Sequence, residues 1–195
     1  MGLIKSALEL AMEKTVGLEV DKVALRQKEK NLEGRTVAIK ALIEGVDFLT
    51  QHWNELKKEA NKDDQASWLE GALLALLGRF SLTTNPEVEL DMNAATPLLL
   101  ALTRNKAQSE LTKMKDLVVQ FGQEVIQLKS ALEKQVGPQL RQRAEDYARQ
   151  SGVQMRFILE KDPTFLKILT QNLDPLKVQY SESLEDLKSQ VLKYK

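Results

Sequence analysis

A chain of 195 residues with 43% hydrophobic and 29% charged residues lies in the ordinary globular range and can bury a sizeable core. Lys plus Arg equals Asp plus Glu at 28 each, so no global field draws the chain onto nucleic acid, an anionic membrane or an acidic substrate. The lack of cysteine removes disulfides, thiolate nucleophiles and Cys-ligated metal centres together.

The N-terminal stretch, with Ile4, Leu8, Ala11 and Met12, reads as a short amphipathic helix ending near Gly17, because Glu9 and Glu13 interrupt any signal-peptide run. Asp21 then caps a second helix running to about Ile43. Val23, Leu32, Val37, Ile39, Leu42 and Ile43 give it an apolar side, while Arg26, Lys28, Glu29, Lys30 and Glu33 belong to a solvated first half. Gly34 and Gly45 are weak points, and a break or kink is expected near Gly45. Phe48, Leu49, Trp53 and Leu56 continue at helical spacing, and Asn61-Lys62-Asp63-Asp64 supplies a turn and a cap.

The next segment, Gln65 to Phe80, carries Leu69, Ala72, Leu73, Leu74, Ala75, Leu76 and Leu77. It is apolar on every side and predicts a helix enclosed by its neighbours. Ser81 to Asn93 reads as a loop, with Thr83-Thr84-Asn85-Pro86 as turn chemistry. Thr96-Pro97 reads as the cap and first residue of a following helix. Ala107, Leu111, Met114, Val118, Phe121, Val125, Leu128 and Leu132 then alternate steps of four and three, a heptad seam that suggests a coiled coil. Leu117, Val119, Ile126 and Ala131 widen that face and favour a bundle.

Gly137-Pro138 is expected to stop or kink this helix, and Ser151-Gly152 to end its continuation. Val153 to Leu159 is ambiguous between helix and strand. Asp162-Pro163 and Asp174-Pro175 each read as a helix start, the second launching Tyr180, Leu184, Leu187, Val191 and Tyr194. No internal repeat of the solenoid kind is present. The expected fold is therefore all-α: a multi-helix bundle with long amphipathic helices, kinked near Gly45 and Gly137-Pro138. It is read as a single helical domain over 1–195, with 1–60 as a possible helical extension.

The sequence has no Gly-rich phosphate loop, nucleophile elbow, HExxH or EF-hand loop. His52 is the sole histidine, so a ferritin-type di-iron site, which needs two Glu-x-x-His pairs, is excluded. Glu55 and Glu59 share roughly the face of His52, a possible metal or pKa-tuning set, but an ordinary boundary histidine is the plainer reading. Glu87, Glu89 and Asp91 read as a solvated acidic loop, since they lack the Gly turn and distal Glu of a calcium loop. Residues 61–103 hold two basic and six acidic residues and 104–161 hold eleven and seven. These blocks are expected to attract each other within the fold. Arg141, Arg143, Arg149 and Arg156 lack the spacing of a nucleic-acid reader.

No residue pattern resembles a known family, and nothing calls for a catalytic residue, metal or cofactor. The expected role is a non-enzymatic helical interaction or scaffold protein, cytoplasmic, without a transmembrane segment and without a clear nucleic-acid surface. The alternatives are a ligand-binding or enzymatic bundle whose site leaves no linear motif, and a reversible lipid-surface protein with amphipathic helices. Its partner is another protein or a second copy, the latter through the stripe Leu184, Leu187 and Val191. That stripe has Glu182, Glu185, Asp186 and Lys188 beside it, and if it proves internal, the partner surface falls to the charged helix around Arg26 to Arg35.

Overall fold

The computed structural model describes residues 22–85, 87–152 and 157–195. Among them are six α-helices, α1 (Lys22–Glu44), α2 (Val46–Glu59), α3 (Lys62–Leu77), α4 (Glu87–Thr103), α5 (Gln108–Ser151) and α6 (Pro163–Leu192), with a 3-10 turn at Leu159–Lys161 and no strand. The chain is an all-α multi-helix bundle, as its periodicity predicts. The N-terminal helix, the Asp21 cap, Pro86, Arg156 and the ambiguity over 153–156 lie outside the described residues.

α3 is the centre of the bundle. Trp68, Leu69, Ala72, Leu73, Leu76 and Leu77 are buried around its circumference, and of its leucines only Leu74 is exposed. Asn61 caps it by accepting from the Asp64 backbone N–H at 2.8 Å. α1 lies along α3 and runs parallel to it: Arg26 pairs with Asp64, and the Asn31 amide donates to the Ser67 carbonyl at 3.3 Å. The two helices meet through small residues, Gly34 against Trp68 and Ala72 and Gly71 against Asn31, with Ala38 and Ala41 buried on the same side of α1. A Cβ on Gly34 would overlap the Trp68 carbonyl and one on Gly71 the Asn31 carbonyl, so the two backbones touch there. Gly34 is thus a contact point inside an unbroken helix, not a weak point. Gly45, at φ 94°, does separate α1 from α2, a left-handed conformation that favours glycine.

Residues 87–93 are helical, which corrects the expected loop over Ser81 to Asn93. α4 starts just after Asn85, whose side chain accepts from the Glu87 N–H at 3.1 Å, and Thr96-Pro97 lies inside it. The Thr96 hydroxyl bonds back to the Met92 carbonyl at 2.6 Å and so caps nothing. The helix passes through Pro97 because Met92 and Ala95 before it, and Leu98 and Leu99 after it, are all buried against the bundle. In the same way α5 runs through Gly137-Pro138, anchored by Leu132 and Leu140, and α6 runs through Pro175, anchored by Phe165 and Tyr180. Asp174-Pro175 is therefore no helix start. Asp162-Pro163 is one: the Asp162 carboxylate accepts from the Thr164 and Phe165 N–H groups at 2.8 and 3.0 Å.

α5 has 44 residues and is about 66 Å long at 1.5 Å per residue. Together with α6 it makes an antiparallel hairpin. The Tyr194 hydroxyl donates to Glu110 at one end, and Phe121 and Glu124 meet Tyr180 further along. Leu132 and Leu140 share a separate apolar cluster with Leu159 and Phe165 at the other end. The heptad seam of α5 is buried in this hairpin and the bundle, with Val125 and Leu128 half-buried. Its face is narrower than expected: Leu117 is half-buried, but Val119, Ile126 and Ala131 are exposed. The C-terminal stripe likewise turns inward, with Leu184 and Val191 buried in the main core and Leu187 packed against it, so it offers no seam to a second copy. Among the described residues no helix is long and apolar enough to cross a membrane.

Candidate functional site

The residues singled out in the sequence do not converge. His52 is half-buried on α2, its Nδ1 2.9 Å from the Phe48 carbonyl and its ring 4.3 Å from that of Phe48, while Glu55 is held by Gln51. Glu87, Glu89 and Asp91 lie on α4, not in a loop. Glu87 accepts from the Asn85 amide and Asp91 faces Arg79 at 3.8 Å, while helical geometry turns Glu89 to another side. Among the described residues no group of three His, Asp or Glu side chains is placed to hold a metal. Arg141, Arg143 and Arg149 are exposed, and Arg149 lies 4.0 Å from both Glu145 and Asp146 on its own helix. The acidic block is paired with Arg26, Arg79 and Lys195, none of which belongs to the basic block.

Two other features stand out, and neither is a linear motif. The first is the outer face of α1, opposite the small-residue face that packs on α3. Leu25, Leu32, Ile39 and Ile43 lie there, 49%, 65%, 50% and 89% exposed. The second is a cleft of about 400 Å³ where four segments meet. α2 contributes Trp53; α3 contributes Lys62, Gln65, Ala66 and Leu69; the end of α4 and the turn after it contribute Leu102, Thr103, Arg104 and Lys106; and Tyr194 and Lys195 follow α6.

The cleft is built on rigid parts. Leu69 and Leu102 are buried, Trp53 stacks on Trp68 with ring centroids 5.4 Å apart, and Lys57 lies over the Trp53 ring. Burial of Thr103 is satisfied by its hydroxyl donating to the Leu99 carbonyl at 2.7 Å. α4 ends in a turn closed by the Asn105 N–H on the Leu100 carbonyl at 2.8 Å, with Arg104 and Asn105 at φ 54° and 63°. Glycine is the usual occupant of such a position, and a side chain there costs roughly 1–2 kcal/mol. Lys195 is neutralised by Glu70 at 2.8 Å, and the Tyr194 hydroxyl is turned to Glu110 at 3.3 Å. Burial, and next the Glu110 charge, raise the Tyr194 pKa above the ordinary phenol value.

A family model described as "Family of unknown function (DUF6657)" matches residues 53–193. The chain belongs to this family. The DUF6657 match begins at Trp53, so it takes in the end of α2, all of α3 to α6 and most of the cleft, and leaves α1 outside. No curated protein and no solved structure gives a significant match.

Proposed function

We propose that this DUF6657 protein is a helical interaction protein that docks an amphipathic helix of a protein partner on the outer face of α1. The observation that carries the reading is the row Leu25, Leu32, Ile39 and Ile43, four large apolar side chains left in solvent on one helix. Successive steps of seven, seven and four residues align them into a seam, which is the spacing a facing helix fills. Burying each such side chain stabilises by about 1.5–3 kcal/mol, enough for four of them to hold a partner helix once ordering costs are met.

Charge decides the kind of helix. Among the described residues Arg26 is tied to Asp64 and Glu33 to Lys30, while Lys28, Arg35 and Lys40, with Glu29 as the one carboxylate among them, enter no ion pair, so the border of the seam is mainly basic. A partner helix flanked by carboxylates complements that border. A second copy, set antiparallel about Leu32, would oppose Lys28 to Thr36, Arg35 to Glu29 and Lys40 to Ala24, and so leaves Lys28 and Lys40 of each copy without a carboxylate. A lipid surface takes a broad apolar face, whereas this seam is one residue wide and has Glu29 and Thr36 within it.

The test is fluorescence anisotropy with a labelled synthetic helix bearing leucines at seam positions and glutamates on its flanks, against the same helix flanked by lysines. The glutamate helix is expected to bind at least roughly tenfold more tightly. Leu32→Glu with Ile39→Glu should abolish binding and, both sites being exposed, change stability by no more than about 0.5 kcal/mol. Sedimentation equilibrium and co-sedimentation with anionic vesicles on the same two proteins complete the test. A dimer, or vesicle binding, that vanishes in the double variant while neither helix binds would overturn the reading.

A further inference from the structure

The cleft beneath Arg104 is a separate feature, since no residue of α1 lines it. Its volume of about 400 Å³ falls within the range of small-molecule sites. Four cations line it, Lys62, Arg104, Lys106 and Lys195, and no Asp or Glu side chain does. Lys195 is paired with Glu70, but among the described residues the side chains of Lys62, Arg104 and Lys106 enter no ion pair and no hydrogen bond. Like charges facing one concavity repel each other, and low-dielectric walls of Leu69, Leu102 and Trp53 sharpen the field that an anion would relieve. Arg104 holds its place at a left-handed backbone position where glycine would sit without strain.

We propose that this cleft binds a small organic phosphate, its phosphate held by Lys62, Arg104 and Lys106 and its apolar part set against Leu69, Leu102 and Trp53. A tetrahedral dianion offers several acceptor oxygens at once, which suits a guanidinium fork flanked by two ammonium groups better than a monocarboxylate does. The amide of Gln65 is held by the Ala60 carbonyl at 2.8 Å and the Tyr194 hydroxyl by Glu110, so recognition falls to the three cations.

The experiment titrates the full chain with phenyl phosphate, with inorganic phosphate and with vesicles containing phosphatidic acid, read by tryptophan fluorescence and phosphorus NMR. Trp53 lines the cleft and Trp68 is stacked on it, so both tryptophans of the chain report. Phenyl phosphate is expected to bind saturably and more tightly than inorganic phosphate, and Arg104→Gly and Lys106→Ala should each weaken it by about tenfold or more. Arg104→Gly should at the same time raise Tm by relieving the left-handed strain, which separates lost binding from lost folding. Binding of the vesicles but not the soluble ester, lost in both variants, places the phosphate on a lipid headgroup and keeps the site. No saturable signal with any probe, or affinities that both variants leave unchanged, would overturn the proposal.

Discussion

Tyr180 carries the main titratable contact inside the α5–α6 hairpin. Burial, and then its hydrogen bond to Glu124 at 2.7 Å, push its pKa up to about 12 from 10.0. The same bond, with a second from Gln120, holds Glu124 below the usual carboxylate range. The folded chain therefore keeps the Tyr180 proton where the unfolded chain loses it. That stability is fully present below pH 10.0 and is lost as pH rises toward about 12. For Glu124 the sign is opposite: its contribution is present above the ordinary carboxylate range and is lost as pH falls through its depressed value. Tyr180→Phe should reduce stability at neutral pH and flatten both limbs of the pH profile, measured by denaturant unfolding across pH. An alkaline slope that Tyr180→Phe leaves unchanged would contradict this. The sequence places Tyr180 on an apolar stripe but cannot show Glu124 as its partner, because the two are 56 positions apart and meet only when the hairpin closes.

At the scale of the helix, the sequence reveals starts and stops where a capping side chain has no competitor. Asn61, Gly45, Gly152 and Asp162-Pro163 all act as their chemistry predicts. Thr96-Pro97 and Asp174-Pro175 carry the same signal and lie mid-helix, because buried side chains on both sides of each proline outweigh one missing N–H. The carbonyls left without that donor belong to Asn93 and Gln171, exposed residues whose carbonyls water can serve. The two faces of α1 mislead in a different way. Hydrophobicity marks Val23, Leu32, Val37, Ile39, Leu42 and Ile43 as the apolar side, but of these only Val37 is buried and Leu42 half-buried; the rest of the inward side is Gly34, Ala38 and Ala41, residues whose value lies mostly in being small. Helix propensity alone makes Gly34→Ala stabilising by about 1 kcal/mol. Overlap with the Trp68 carbonyl reverses the sign, since backbone atoms cannot step aside as a flexible side chain can. The expected net loss is about 2–4 kcal/mol by denaturant unfolding. A neutral or stabilising Gly34→Ala would mean that α1 does not lie this close to α3.

Across the whole molecule, the all-α architecture was legible because it repeats in every segment, while the two candidate surfaces were not, because neither is a property of one segment. The cleft gathers residues from positions 53 to 195, and the seam on α1 becomes a surface only once its smaller face is known to be buried. The sequence did identify the charged helix around Arg26 to Arg35 as the place to look if the C-terminal stripe proved internal, and Leu184 and Val191 are internal. The α1 seam lies outside the segment matched to DUF6657, whereas nearly all of the cleft lies inside it. The chain has no cysteine, so Ile39→Cys gives a single labelling point at the middle of the seam. With an environment-sensitive dye on that residue, adding the glutamate-flanked leucine helix should shift the emission to the blue, saturably, and Leu32→Glu in the same chain should abolish the shift. Emission that stays at its solvent-exposed value throughout the titration would contradict the assignment of the α1 seam as the docking surface.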